Sequence, residues 1–295
     1  MAKYDKATRY NFIMTKATEL PTLPSIVGEV ARMINDPLAS LRQVEEAISK
    51  DQSLTVKTLK LANSAFYAIP GGAQNLRRAI TFLGMETLYQ LVLSASVFSN
   101  LDIKDSSGFD VKQLWRHSLG VGVAAEVVAG QLGMGDSQLM FISGLVHDMG
   151  KVLLYKFMRE EFQATLAFAK DKNVSFHKAE RETDALEHTV CGAMLAEQWK
   201  LPPTLQYAIR YHHILDRQQR TGLSPEANQS VDIICLANIL VHQLNFGNSG
   251  YTSEPELPAS LLEHLLIDQG KIADLVTLTK EKLAKSENLL SALMG

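Results

Sequence analysis

The chain has 295 residues, 46% hydrophobic and 21% charged, which suits a folded globular protein of one large or two modest domains. Its 29 Lys and Arg are scattered against 32 Asp and Glu, a net charge of −3, which excludes a general nucleic-acid surface. No uninterrupted apolar run approaches the roughly 18 residues of a membrane span, and the N-terminus has no export leader, so a cytoplasmic protein is expected.

Apolar positions recur at helical spacing along the chain. From Pro24, residues Ile26, Val27, Val30, Met33 and Ile34 form one stripe, which should stop before Asp36-Pro37. Ser40 can cap a second helix through Val44, Ala47 and Ile48, ending near Asp51. A third starts near Ser53 and breaks at the turn-rich Ala68-Ile69-Pro70-Gly71-Gly72. Asn75 to Phe82 and Glu86 to Phe98 follow on either side of Gly84. The polar stretch Leu101–Asp110 then separates a histidine-free segment from one holding all eight histidines. Beyond it the spacing predicts helices over Val111–Leu132, Asp136–Phe157, Phe162–Lys172, Ser175–Trp199, Pro203–His213 and Asn228–Leu244. Polar loops occupy Asp216–Glu226 and Asn245–Pro258. No stretch alternates with period two, so the fold class is all-α, in two helical parts.

In the last stretch Ile272, Val276, Thr279, Leu283, Ser286, Leu290 and Leu293 fall on a heptad seam with two polar positions. A homodimer through this C-terminal helix is one reading. An amphipathic helix packed on its own body is the other. Cys191 and Cys235 are in no metal-like spacing and read as buried apolar thiols.

The chemistry gathers where polar residues interrupt apolar helices. His147 and Asp148 sit side by side in G-L-V-H-D-M-G-K, either as a satisfied polar pair at a helix end or as two metal ligands. His117 lies in L-W-R-H-S-L-G, His188 in L-E-H-T-V-C-G-A, His212 and His213 in R-Y-H-H-I-L, and Asp232 in S-V-D-I-I-C. A lone histidine on an apolar face is an ordinary core residue, and an isolated Asp at a helix start is an ordinary cap. Several together are costly to bury unless they share partners, and neutral imidazole with carboxylate is a ligand set for Fe, Mn, Zn or Ni. Spacing alone leaves open whether they converge.

The order His117, His147-Asp148, Asp232 resembles the signature of the HD superfamily of metal-dependent phosphohydrolases. H-D-M-G-K is similar to the H-D-x-G-K of its HD-GYP branch, with E-H-T-V-C-G-A and Tyr211-His212-His213 for that branch's later elements. The N-terminal half resembles the HDOD domain of bacterial signalling proteins through L-P-T-L-P, N-D-P-L-A-S, L-K-L-A-N-S-A-F-Y and R-A-I-T-F-L-G. The resemblance implies an HDOD subdomain over residues 15–105, an HD-like subdomain over 106–245 and a helical extension over 246–295. It also implies one or two divalent transition metals. One would be held by His117, His147, Asp148 and Asp232; a second would share Asp148 and add His188, His212 and His213.

The same resemblance gives Asp148 and Lys151 catalytic roles in a hydrolase. The bridging carboxylate would hold two cations that bring the pKa of a water toward neutrality for attack on phosphorus. Lys151, one turn from His147, would neutralise phosphate, or is simply a solvated lysine. The Gly-Tyr-Pro element of the HD-GYP branch, associated with cyclic di-GMP hydrolysis, is absent from I-L-D-R-Q-Q-R-T-G-L-S-P-E-A-N-Q-S. Two functions therefore stand side by side: a regulatory or scaffolding module with signalling-protein partners, or a phosphohydrolase acting on a small nucleotide or phosphoester. A di-iron redox role is a third use of the same ligands. His177, His242 and His264 match no motif and read as ordinary surface or core residues.

Overall fold

A computed structural model describes residues 5–20, 23, 25–34, 36, 38–101, 108–134, 137–250 and 256–294. Every regular element among them is helical, as the periodicity predicts. Of the expected boundary Leu101–Asp110, residues 102–107 lie outside the described residues, as do Pro24, Pro37 and Asp136 at expected helix ends. The chain divides into two compact units. The larger comprises Met1–Leu20 with Ile103–Lys280, and the smaller Pro21–Asp102 with Glu281–Gly295.

The first helix, α1 (Lys6–Ala17), belongs to the larger unit and was not visible as a periodic pattern. Only Arg9, Ile13 and Ala17 are buried along it, too few for a stripe. Asp5 starts it by accepting from the Thr8 amide at 2.8 Å.

The smaller unit follows with α2 (Ser25–Ile34), α3 (Leu41–Ser49), α4 (Gln52–Ala62) and α5 (Leu76–Asn100). Ser40 and Gln43 form a reciprocal capping box at the start of α3. Asn63 pins the following turn, accepting from the Ala73 amide at 2.6 Å and donating to its carbonyl at 2.9 Å. The two helices expected around Gly84 are both present within α5, interrupted at that residue, whose φ of 83° and ψ of 166° are not helical and suit glycine. By length and composition α5 is apolar enough to cross a membrane, but 61% of its apolar window is buried inside the fold, as in a core helix.

The larger unit continues with α6 (Val111–Gln131), α7 (Ser137–Val146), α8 (Met149–Phe157), α9 (Arg159–Lys172), α10 (Phe176–Glu182), α11 (His188–Gln198), α12 (Pro203–Tyr211), α13 (Pro225–Gln243) and α14 (Ala259–Leu265). The last helix, α15 (Gln269–Met294), is divided at Lys280 between the two units. Two long predicted helices are each split. The run expected over 136–157 breaks at His147-Asp148, and the run over 175–199 breaks at 183–187. Both breaks turn a polar side chain inward instead of letting the helix carry it past the core. The short α14 falls outside the expected elements.

The core of this unit is built from α6, α7 and α13, with Val121, Ala125, Met140, Ile234 and Leu240 buried together, and Leu275 of α15 joining it. On the heptad seam Thr279, Leu283 and Ser286 are all buried within the chain. The side chains of Leu290 and Leu293 lie outside the described residues.

Candidate metal centre

The elements around the two helix breaks converge. His117 projects from α6; His147 follows the last residue of α7; Asp148 precedes α8 and Lys151 lies in its first turn. His188 opens α11, and His212 and His213 directly follow α12. Backbone contact sets this assembly. A Cβ at Gly150 on α8 would collide with the His188 carbonyl oxygen and come within 2.8 Å of the Gly192 amide nitrogen on α11. Only glycine lets α8 and α11 lie this close.

Of three groups of ligand atoms among the described residues, each with its members within 4.8 Å of one another, one is His177, Glu180 and His188; the other two are Asp148, His188, His212 and His213, and His117, His147 and Asp148. Asp148 is common to both. Its Oδ1 lies 3.2 Å from His188 Nε2 and 3.5 Å from His212 Nε2. Its Oδ2 lies 3.3 Å from His147 Nε2 and accepts from Lys151 Nζ at 2.9 Å. Six of the seven ligands expected from the sequence are thus brought together.

Asp232 is the exception. It sits in an arginine clamp, 2.7 Å from Arg220 and held also by Arg217, with His264 Nδ1 at 3.7 Å. Arg220 is itself buried, donating to the Ile214 carbonyl at 2.8 Å, so this carboxylate ties the 214–220 loop to α13. On α13 it is Asn238, not Asp232, that reaches the histidines, its Oδ1 lying 3.0 Å from His117 Nε2. The helical period accounts for the difference. Six residues turn the helix by about 240° beyond a full turn, so the two side chains leave on different faces.

The histidines are oriented from behind. His147 Nδ1 lies 2.6 Å from the Gly144 carbonyl, His188 Nδ1 lies 2.7 Å from Glu180 Oε2, and His212 Nδ1 lies 3.0 Å from the Ile209 carbonyl. Each Nδ1 faces an acceptor and so carries the proton, which leaves each Nε2 lone pair turned towards Asp148. Glu180 also accepts from the His188 amide at 2.9 Å. Arg9 and Tyr10 of α1 hold the link before His188, through Glu161, the Asp184 carbonyl and the Glu187 amide.

Sequence reasoning passed over four contributors. Glu180 looked like one charge in the polar run F-H-K-A-E-R-E, and Asn238 carries no charge to attract notice. His177 stacks on His213 with ring centroids 4.5 Å apart, and His242 packs on His117 at 4.3 Å. Their i, i+3 and i, i+4 spacings from Glu180 and Asn238 were the available signal.

The electrostatics favour ligand forms. Burial alone would push the Asp148 carboxyl up, but His147 and Lys151 outweigh it and hold it well below the usual carboxylate range. Burial pushes His117 and His213 well below the ordinary imidazole value, and takes His212 and His242 down to about 3. Burial also works against a charged His188, yet Glu180 prevails and raises it. Neutral His117, His212 and His213 beside an ionised Asp148 are what a divalent transition metal requires. Asp148 Oδ1, His147 Nε2, His117 Nδ1 and His213 Nε2 are moreover buried without any hydrogen bond. Acceptors turned towards one another fit a cation, and these residues fit the metal the sequence implies.

A pH dependence follows for the metal-free protein. His212 and His242 stand at about 3 when folded against an ordinary 6.5, so the unfolded chain binds more protons as pH falls. Their contribution to stability is complete above about 6.5 and is lost between there and about 3. His188, raised, acts with the opposite sign, losing its contribution as pH rises through its folded value. With His117 and His213 also lowered, four such groups outnumber it, so melting temperature should fall steadily from about pH 6.5 to about 4.5.

The HDOD domain family model matches residues 20–215, more than half of the chain. The chain belongs to the HDOD family. An HDOD domain protein of unknown function from Geobacter sulfurreducens is 24% identical, with a TM-score of 0.75 over 96% of this chain and 99% of that one. A Shewanella amazonensis SB2B protein, provisionally named a phosphohydrolase, is 23% identical, with a TM-score of 0.68 and 96% of each chain covered. Both likenesses establish the fold. An uncharacterized protein of Treponema pallidum (strain Nichols) is 27% identical over 86% of this chain, which spans 48% of its length. The HDOD chain thus covers about half of that curated relative.

Proposed function

We propose that this HDOD chain is a regulatory or scaffolding module of bacterial signal transduction, acting in the cytoplasm. Its histidine cluster holds metal for structure or ligand sensing rather than for turnover. The observation that carries the reading is burial. His117, His147 and His188 are 0% exposed, Asp148 and His212 2%, and Lys151 3%. A phosphoester must bring its phosphorus to within about 3–3.5 Å of the attacking group, and here five of the six ligands are sealed beneath side chains, His213 being part-exposed. Lys151 spends its ammonium on Asp148. A groove of about 770 Å³ in the larger unit is lined by Arg9, Phe157, Phe168 and Ala185 and includes none of the six ligands.

The partner surface is assigned to the smaller unit. There Leu38, Leu41, Val56 and Phe82 stand 43–90% exposed. Large apolar side chains in water are commonplace singly, but four on one small helical unit suit a protein partner.

The hydrolase reading draws on the ligand set and on Lys151. It requires the site to open, and the part-exposed His177–His213 edge is where it would do so. Cyclic di-GMP is a weak substrate candidate because the Gly-Tyr-Pro element is missing. The test is to load the protein with Mn²⁺, Fe²⁺ or Zn²⁺ and offer cyclic di-GMP, a cyclic mononucleotide and a chromogenic phosphodiester. The module reading expects no turnover above an Asp148→Ala control. Turnover that Lys151→Ala abolishes, with metal content intact, would replace it by the hydrolase.

A further inference from the structure

We infer that the cluster takes a single divalent transition-metal ion, held by Asp148, His188, His212 and His213, and that the Lys151 ammonium stands in place of a second. The inference rests on the reading that the cluster holds metal. It assigns stoichiometry and location, and it is independent of whether the protein turns over a substrate.

The two oxygens of Asp148 face different surroundings. On the Oδ1 side, His188 Nε2 and His212 Nε2 lie 3.3 Å apart, and their distances to Oδ1 are 3.2 and 3.5 Å. Ligand bonds of about 2.0–2.1 Å around a tetrahedral zinc-like ion set neighbouring donors about 3.3–3.4 Å apart. Three edges of such a tetrahedron are therefore already in place, and His213 supplies the fourth corner within the same 4.8 Å group. Both Nε2 lone pairs are aimed inward by the acceptors behind Nδ1, and the Glu180 carboxylate behind His188 adds negative charge. Glu180, and Asp148 shared with Lys151, are the carboxylates that face this ion.

On the Oδ2 side the balance is reversed. A buried ammonium already bonds Oδ2 at 2.9 Å, and it is boxed in by the Phe176 ring, whose centroid lies 5.5 Å away. His117 has one nitrogen committed to the Asn238 amide, which brings no charge. The carboxylate that the sequence pattern assigned here, Asp232, is neutralised by two arginines elsewhere. A second dication would meet a fixed positive charge with no further anion to offset it. Lys151 stands where that half's cation would be.

The measurement is the metal-to-protein ratio of the full chain after chelator treatment, reloading with Zn²⁺ or Co²⁺ alone, and removal of excess ion. Wild type should saturate at one equivalent. His188→Gln and His212→Gln should each lose most of it, His117→Gln should retain it, and Lys151→Met should admit a second. The Co²⁺ form should show the intense visible band of a four-coordinate ion, which His117→Gln leaves in place. Circular dichroism identifies any variant that fails to fold, and the two histidine variants back each other up.

Two equivalents in wild type, or an ion that depends on His117 and not on His188, would overturn the assignment. One equivalent in Lys151→Met would overturn the role of the lysine. Zinc-free wild type would sink the metal reading along with the inference. Phosphodiester turnover with one equivalent bound would sink only the module reading.

Discussion

Gly150→Ala should destabilise the larger unit by about 3 kcal/mol, the upper part of the range for overpacking a close contact. The new Cβ would meet backbone, the His188 carbonyl oxygen and the Gly192 amide, rather than the flexible end of a side chain. Relief requires α8 to move away from α11, and α8 carries Asp148 and Lys151 away from His188 as it goes. Metal uptake should therefore fall with stability. A matched control is at hand in Gly130→Ala, near the end of α6, where nothing lies within 4 Å of the added methyl. That change should be neutral or gain up to about 1 kcal/mol from the lower entropy of alanine. Urea titration of the metal-free chain reads both. Equal effects at the two glycines would mean that α8 and α11 do not touch.

Asp148→Ala should be the most damaging single change to the cluster. It removes the ligand common to both groups and strands the Lys151 ammonium, 3% exposed, without its counter-charge. Breaking a buried pair from one side costs about 3–5 kcal/mol, a large part of a typical domain's stability of about 5–15 kcal/mol. The double variant Asp148→Ala, Lys151→Met removes both charges and should recover most of that loss, though not the metal. Chemical denaturation of the four proteins gives the coupling directly. Additive losses would show that the two groups do not depend on each other.

Much of this architecture was legible because helices write their burial pattern into the sequence. Stripes such as Val44, Ala47 and Ile48 located α3, and the Ser40 cap fixed its start. What was illegible was set by contacts distant in sequence. Beyond the Asp5 cap and three buried positions, little local announces α1, which is held by Glu161, Asp184 and Glu187 far along the chain. The breaks before α8 and α11 fall inside runs whose apolar spacing continues, because there the polar residues decide.

The site divides the same way. Histidine and aspartate standing in apolar surroundings marked six converging residues without any view of the fold. Asp232 was chosen over Asn238 because a carboxylate is the stronger ligand, and only the rotation of α13 separates them. Glu180 escaped notice because a charge on a short polar helix resembles any solvated one, until its partner His188 is seen behind it.

The discontinuity of the larger unit bears on how the chain is made. Arg9 of α1 pairs with Glu161 and Asp184, 152 and 175 residues later. At a synthesis rate of about 5–20 residues per second, α1 leaves the ribosome roughly 8–35 seconds before its docking partners do. During that interval the whole smaller unit except its closing segment emerges and can begin to fold. Helix α1 is thus made well before it can dock, and the link it braces before His188 is completed only after residues 161–187 have emerged.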